Sequence, residues 1–346
     1  MSTATVDNWL GLDCRYLSAG HQPACVVDLA LARGIDSHRL LRGSGLFYED
    51  LLAPDACVST AQYLRLLDNA RTLLDTRDAS FLLGQRLLPG HFGVASNLLL
   101  HADTLLHALQ HLVRFRALLS PGLAPRLHLD THHLYLYWVE VFDLGRSRRF
   151  VHEAAMSAVT ALSRALLAER LPWEYQLSWS QPGYIEQYWV HLGENLRFEA
   201  PLTCMRLPRA YLARRPAAAS PTLGRIAEQQ AAQALAELPA AGSLGEAVFD
   251  CLYGLGGRRA GLEHIAESFG MSAATFKRRL QRDGCGFQAL LDRVHAQLAM
   301  ELYQSRGYSH DQVAACLHVS DRTNFRRLLK RLTGKSPDSL RVWLES

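Results

Sequence analysis

Nowhere in this chain of 346 residues does an apolar run approach the ~18 consecutive residues that would cross a bilayer. The N-terminus has no basic segment leading into an apolar stretch either, so a soluble, cytoplasmic protein with no membrane contact is the expectation. Seven cysteines (Cys14, Cys25, Cys57, Cys204, Cys251, Cys285 and Cys316) are scattered without a C-x-x-C pair, which favours reduced thiols over a zinc knuckle or a disulfide framework. Catalytic signatures are missing as well: there is no Gly-x-Ser-x-Gly elbow, no His-Glu-x-x-His and no P-loop. No cofactor motif takes their place. Lysine is scarce, and the three that occur (Lys277, Lys330 and Lys335) all lie beyond residue 257.

That last scarcity points to where the charge is. The formal net charge of +4 divides into 22 basic against 24 acidic side chains over residues 1–257 and 15 against 9 over residues 258–346. A local positive field beside a slightly acidic remainder fits a nucleic-acid module joined to a part that need not touch nucleic acid. An apolar content of 49% supports packed cores, and the length suits roughly two to three domains.

The basic part contains one pattern twice. Ile265-Ala266-Glu-Ser-Phe269-Gly270-Met271-Ser272 returns 48 residues later as Val313-Ala314-Ala-Cys-Leu317-His318-Val319-Ser320. Each copy reads as a helix, a tight turn and a second helix opened by serine, running into Phe276-Lys277-Arg278-Arg279-Leu280 or Phe325-Arg326-Arg327-Leu328-Leu329. A helix-turn-helix of this kind packs one face on a small core and offers the other to the major groove. Gly270, Gly284, Gly307 and Gly334 fall at expected helix ends, while Ser272, Ser309 with Gln312, and Ser336-Pro337 read as helix starts. Together with a helix opened by Ser243, this part resolves into seven short helices. Between the copies, Phe287 to Tyr303 carries Leu290, Val294, Leu298 and Leu302 on one face, a connecting helix of about 25 Å.

Residues 1–215 mix helical and strand signals. Helices are expected from Ser59 through Leu74, from Asp103 through Leu119 and from Val151 through Leu166. A hairpin joins 127–130 to 134–142, and Tyr175, Leu177 and Trp179 alternate in a further strand. The expected fold is therefore an α+β N-terminal domain (1–215), a linker with one short helix near Leu223 to Leu238 (216–242) and an all-α domain (243–346).

The C-terminal hundred residues resemble the AraC/XylS family of bacterial transcription regulators. The likeness includes both helix-turn-helix copies, the helix between them and the closing Thr333-Gly334-Lys335-Ser336-Pro337-x-x-x-Arg341. Phe198-Glu199-Ala200-Pro201 and the preceding Trp189-x-His191-x-Gly193 resemble the regulatory domain of the ornithine-utilisation-regulator-like branch. The resemblance implies an activator that reads double-stranded promoter DNA, a homodimer, contact with RNA polymerase and a small-molecule effector sensed by the N-terminal half. It places Ala274, Lys277 and Arg278 toward base edges and Ser272 and Arg279 toward phosphates. In the second copy it points to Arg322, Thr323, Asn324, Arg326 and Arg327. The plainer alternative for each of these residues is a solvated helix face.

The second copy departs from the family pattern. His318-Val319 replaces the usual glycine and aromatic residue, Leu329 and Leu332 stand where Phe and Trp are common, and His295 stands where the connecting helix often has Arg. A non-glycine residue forced to positive φ costs roughly 1 to 2 kcal/mol. The first copy is therefore expected to carry more of the specificity.

Other signals have plainer readings. His107 and His111 are spaced to grip a metal from one helix face, but solvated or hydrogen-bonded histidines are commoner and metal: none is the reading adopted. His132-His133 is expected at an exposed hairpin turn. The glycine-rich stretch 254–261 follows a helix and lacks nucleotide-loop spacing. Trp138, Trp173, Trp179 and Trp189, with Tyr135, Tyr137, Tyr184 and Tyr188, are either core or pocket lining. Two rivals to a regulator stand: an enzyme-like N-terminal domain with a DNA-binding tail, and a protein-interaction adaptor that makes little use of its DNA face.

Overall fold

A strand buried on one face alternates apolar and polar residues, whereas a strand buried on both reads as a continuous apolar run. Residues 134–139 form such a run, and its two faces meet two different cores. The computed structural model describes residues 9–345 except 75, 257, 259, 260 and 320, and leaves out the side chains of Ser305, Arg322 and Glu345.

In chain order the elements begin with β1 (Arg15–Ser18), α1 (Gln22–Ala32), α2 (Ser37–Leu40), α3 (Tyr48–Leu51), β2 (Cys57–Ser59), α4 (Thr60–Leu74), α5 (Ala79–Leu87), α6 (Val94–Leu100), α7 (Leu105–Arg114) and α8 (Arg116–Leu119). Next come β3 (Leu123–Leu129), β4 (His133–Glu140), α9 (Arg148–Leu167), β5 (Glu174–Gln176), α10 (Ile185–His191), β6 (Leu196–Arg197), β7 (Cys204–Pro208) and α11 (Pro221–Ala236). The helical C-terminal part holds α12 (Leu244–Gly254), α13 (Leu262–Ser268), α14 (Ala273–Arg282), α15 (Phe287–Arg306), α16 (His310–Cys316), α17 (Arg322–Thr333) and α18 (Pro337–Glu345).

The main sheet has the order β3-β4-β7-β5-β6, with every pair antiparallel except β5 and β6. From β4, Leu134, Leu136 and Trp138 join the N-terminal core with Phe81, Ala154 and Val159. Tyr137 and Val139, with Val141 just beyond the strand, join Val248, Phe249, Phe276 and Leu290 of the helical part. The sheet is thus shared. On its N-terminal side α5 lies tightly along α9 at Gly84, where a Cβ would run into the carbonyl of Ala154. Helix α11, inside the stretch read as a linker, buries Ala227 and Ala231 against the N-terminal core. It starts after Ser220, whose hydroxyl accepts from the Leu223 N–H.

The α+β and all-α parts are both present. Several boundaries differ from the sequence reading for local reasons. The helix expected from Asp103 starts at Leu105, because Thr104 is the residue that accepts from the His107 N–H, and it divides at Phe115 into α7 and α8. Helix α9 begins three residues early, at Arg148, after a turn of 3₁₀ helix. The strand around Tyr175 stops at Gln176. The hairpin strands run 123–129 and 133–140, because Asp130 accepts from the N–H groups of His132 and His133 and closes the turn. The connecting helix α15 extends to Arg306, three residues past Tyr303, and ends at Gly307 with φ +61°. Among the described residues no helix is long and apolar enough to cross a membrane.

Candidate nucleic-acid interface

Helices α13 and α14 form the first pair. Gly270 turns the chain at φ +66°, and Ser272 caps α14 by accepting from the Thr275 N–H at 3.3 Å. Phe276 and Leu280 are buried, so the helix rolls its other side outward. Ala274, Lys277 and Arg278 are exposed, as is Ser272, while Arg279 is half-buried with a guanidinium N–H 3.9 Å from Met271 Sδ. The second pair, α16 and α17, repeats the plan with a different cap. Asp321 accepts from the N–H groups of Thr323 and Asn324, so α17 opens one residue later than the motif suggests. Ser320 itself lies outside the described residues. Phe325 and Leu329 are buried, and Thr323, Asn324, Arg326 and Arg327 are exposed. The Arg322 side chain also lies outside the described residues.

Two details bear on affinity. Among the described residues, Lys277, Arg278, Arg326 and Arg327 have no ion-pair partner, whereas Arg331 at the far end of α17 pairs with Asp292 at 2.9 Å. Unneutralised cations on an exposed helix face are what a phosphate backbone attracts. At the turn of the second pair His318 sits at φ +55°, so the strain expected there is present. Both pairs are held by α15, whose Leu290 and Val294 belong to the first pair's core and whose Ala299, Met300 and Tyr303 belong to the second's.

Residues 34–216 match the family described as the arabinose-binding domain of AraC transcription regulators, N-terminal, and residues 265–342 match a helix-turn-helix domain family. The chain belongs to the AraC family. It is 26% identical over 317 residues to the ornithine utilization regulator of Pseudomonas aeruginosa, a match that covers 91% of this chain and 94% of the relative. The crystal structure of the transcriptional regulator CdpR from the same organism is a looser likeness, with 18% identity and a TM-score of 0.43 over 94% of this chain and 98% of that one. This AraC-family chain is a helix-turn-helix transcription regulator and not an enzyme, and its N-terminal domain is of ligand-binding type.

Sequence reasoning missed a charge cluster, half-buried around the buried His152, where the family's two parts meet. Glu140, at the end of β4, accepts from His152 Nε2–H at 2.9 Å and pairs with Arg148 at 2.8 Å and with Arg293 of α15 at 3.3 Å. Arg293 also donates to the Glu140 main-chain carbonyl. Burial opposes ionisation of Glu140, but the His152 hydrogen bond and the charges of His152, Arg293 and Arg148 outweigh it and hold the carboxyl down to about 2. Arg126 meets Asp250 of α12 through two N–H donors at 2.9 Å, and Arg116 meets Glu246. The one available signal was an acid closing an apolar strand.

The other candidates settle as follows. His107 and His111 lie ring against ring at 4.1 Å, with His107 3.7 Å from Asp103. Burial first, and then the neighbouring His107, pulls His111 down to about 4. Among the described residues no cluster of three or more His, Cys, Asp or Glu is placed to hold a metal. His132 is exposed and His133 half-buried. Trp173, Tyr135 and Tyr188 are buried in packing, Trp189 is 47% exposed, and Tyr137, Trp138 and Trp179 line an interdomain cavity. Of the glycine-rich stretch 254–261, residues 257, 259 and 260 lie outside the described set.

Proposed function

We propose that α14 and α17 enter two successive major grooves on one side of a promoter duplex. Ala274, Lys277 and Arg278 meet base edges from the first helix, with Ser272 and Arg279 at phosphates. Arg322, Thr323, Asn324, Arg326 and Arg327 serve the second. The observation that supports this reading is the exposure of Lys277 and Arg278 on one helix and of Arg326 and Arg327 on the other, four cations without ion-pair partners among the described residues, one set toward each end of α15. Its 20 residues span about 30 Å, close to the ~34 Å over which one face of the major groove recurs.

In this reading residues 1–215 are the regulatory, effector-binding and dimerisation domain, 216–242 the linker carrying α11, and 243–346 the DNA-binding domain. The protein works in the cytoplasm as a homodimer that activates transcription by contact with RNA polymerase. A small-molecule effector shifts the population of the DNA-competent arrangement. The ornithine utilization regulator's name suggests genes of amino-acid use as the target class. Genome-wide mapping of bound sites, followed by a reporter assay on the strongest site, tests this. The expected result is enrichment of promoters carrying two short boxes one helical turn apart and a reporter that rises with the protein. A reporter that falls rejects the activator role, and enrichment without paired boxes rejects the two-groove reading.

A further inference from the structure

Between the five-stranded sheet and helices α12 and α15 lies a cavity of about 180 Å³, walled on one side by β4 and α9 and on the other by Phe249, Arg293 and Gln297. We propose that a small organic acid carrying a hydrogen-bond donor, an α-amino or α-hydroxy acid in chemical class, binds in this cavity. The proposal rests on the reading of the chain as an effector-controlled regulator and names where the effector sits.

Three observations carry it. The first is charge: two guanidiniums, Arg148 and Arg293, share one carboxylate, Glu140, whose two oxygens are already committed to them and to His152. Each guanidinium has five N–H donors in a planar fork, so donors and positive charge are left over for a second carboxylate. Asp143, the other acid near Arg293, is exposed and does not line the cavity. The second is an unused ring nitrogen. Because a carboxylate only accepts, His152 donates to it through Nε2–H, which leaves Nδ1 as the ring's second polar atom. That atom is buried without a hydrogen-bond partner, on a ring held 6.2 Å from both Trp138 and Trp179. The third is an unused donor. Gln176, beside the adjoining small cavity that shares Tyr137, Leu202 and Gln297, spends its carbonyl on Cys204 and Gln304 and leaves a buried Nε2 without a partner.

Buried polar groups without partners are rare in a finished core. A ligand with a carboxylate at one end and an amino or hydroxyl group next to it would answer the charge and the ring nitrogen together, and the indole and phenyl walls would take its apolar portion. The volume, below the ~300 Å³ at which drug-sized sites begin, sets the scale at a single metabolite. Because Arg293 belongs to α15, the occupant touches the helix that spaces the two DNA-facing pairs.

Calorimetric titration of the full-length protein with the α-amino acids, the matching 2-hydroxy acids and their carboxamides tests this. At least one acid binds saturably and its carboxamide does not. Affinity falls about tenfold or more in Arg148→Gln and in Arg293→Gln. The Arg148 side chain is 57% exposed, so its replacement leaves the fold intact. Absence of binding by every acid, or wild-type affinity in both variants, overturns the site. Promoter titration keeps the two readings apart. An acid that binds but leaves promoter affinity unchanged sustains the site and removes the effector role. An acid that shifts promoter affinity equally in wild type and Arg148→Gln sustains the effector role and removes the site.

Discussion

The two helix pairs stand on different foundations. The first shares its core with the regulatory half: Ile265, Ala266, Phe276 and Leu280 pack in one cluster with Tyr137, Val139 and Phe142. Trp9 sets its edge against Phe269 at 5.8 Å, the Leu12 N–H donates to Asp283 at 3.3 Å, and the turn is a glycine. The second has a small core of its own, built from Val313, Leu317, Phe325, Leu329 and Leu340 on the far half of α15. Its contacts with the regulatory half include Leu202, the Gln304 hydrogen bond to Gln176, and Arg197, whose guanidinium lies 4.1 Å from the Trp343 ring. Its turn is a strained histidine. One pair is therefore built into the sensing domain, and the other is carried at the end of a helix.

The contrast is tested most strongly in the cores. Phe276→Ala removes a fully buried ring shared with the sheet and is expected to cost about 3 to 5 kcal/mol in global denaturant unfolding. Phe325→Ala removes the same group from the outlying core and is expected to open that unit locally, with a smaller shift of the global midpoint. Equal global shifts would erase the distinction.

The next effect belongs to the tether on the first side. Glu140 is held at about 2 against an ordinary 4.5, which corresponds to about 3 kcal/mol of stabilisation. Because the folded value is depressed, that stabilisation is complete above the unfolded value and is lost as pH falls from there toward about 2. Glu140→Gln is therefore expected to lower stability by about 2 to 3 kcal/mol at neutral pH, with the gap to wild type closing in acid. A gap that stays constant over that acid range would show that the carboxylate is not the source.

How much of this could be read from residues alone varies with the range of the interaction. Helix starts and stops in the C-terminal part are local, and there Ser243, Ser272, Ser309 with Gln312, and the positive-φ glycines at 270, 284, 307 and 334 fall where the pattern puts them. Competing neighbours defeat the pattern: Asp103 and Thr104 offer adjacent caps, and only the three-dimensional path of the chain chooses between them. The exposed faces of α14 and α17 follow from helical periodicity, since Phe276, Leu280, Phe325 and Leu329 fix the buried side. The Glu140, Arg148, His152 and Arg293 cluster could not be read, because Arg293 is 153 residues from Glu140 and no spacing rule connects them.

Smaller effects concern DNA and the turn. Lys277→Ala and Arg278→Ala are expected to weaken binding to the target promoter more than Arg327→Ala, each within the ~1 to 3 kcal/mol that a good base contact supplies. The reverse order in a titration would assign specificity to the second pair. His318→Gly relieves a residue at φ +55° and should stabilise the second pair by about 1 kcal/mol, read as slower amide exchange in α16 and α17. Unchanged exchange would mean that the turn carries no strain.

The measurement that bears most directly on the proposed reading of DNA is a footprint of the purified protein on its strongest genomic fragment, repeated over ~50 to 200 mM salt. The expected pattern is two protected segments on one side of the duplex about one turn apart, with the segment under α14 lost in Arg278→Ala, the segment under α17 lost in Arg327→Ala, and steep weakening by salt. A single protected segment, or a pattern that neither substitution changes, would contradict it.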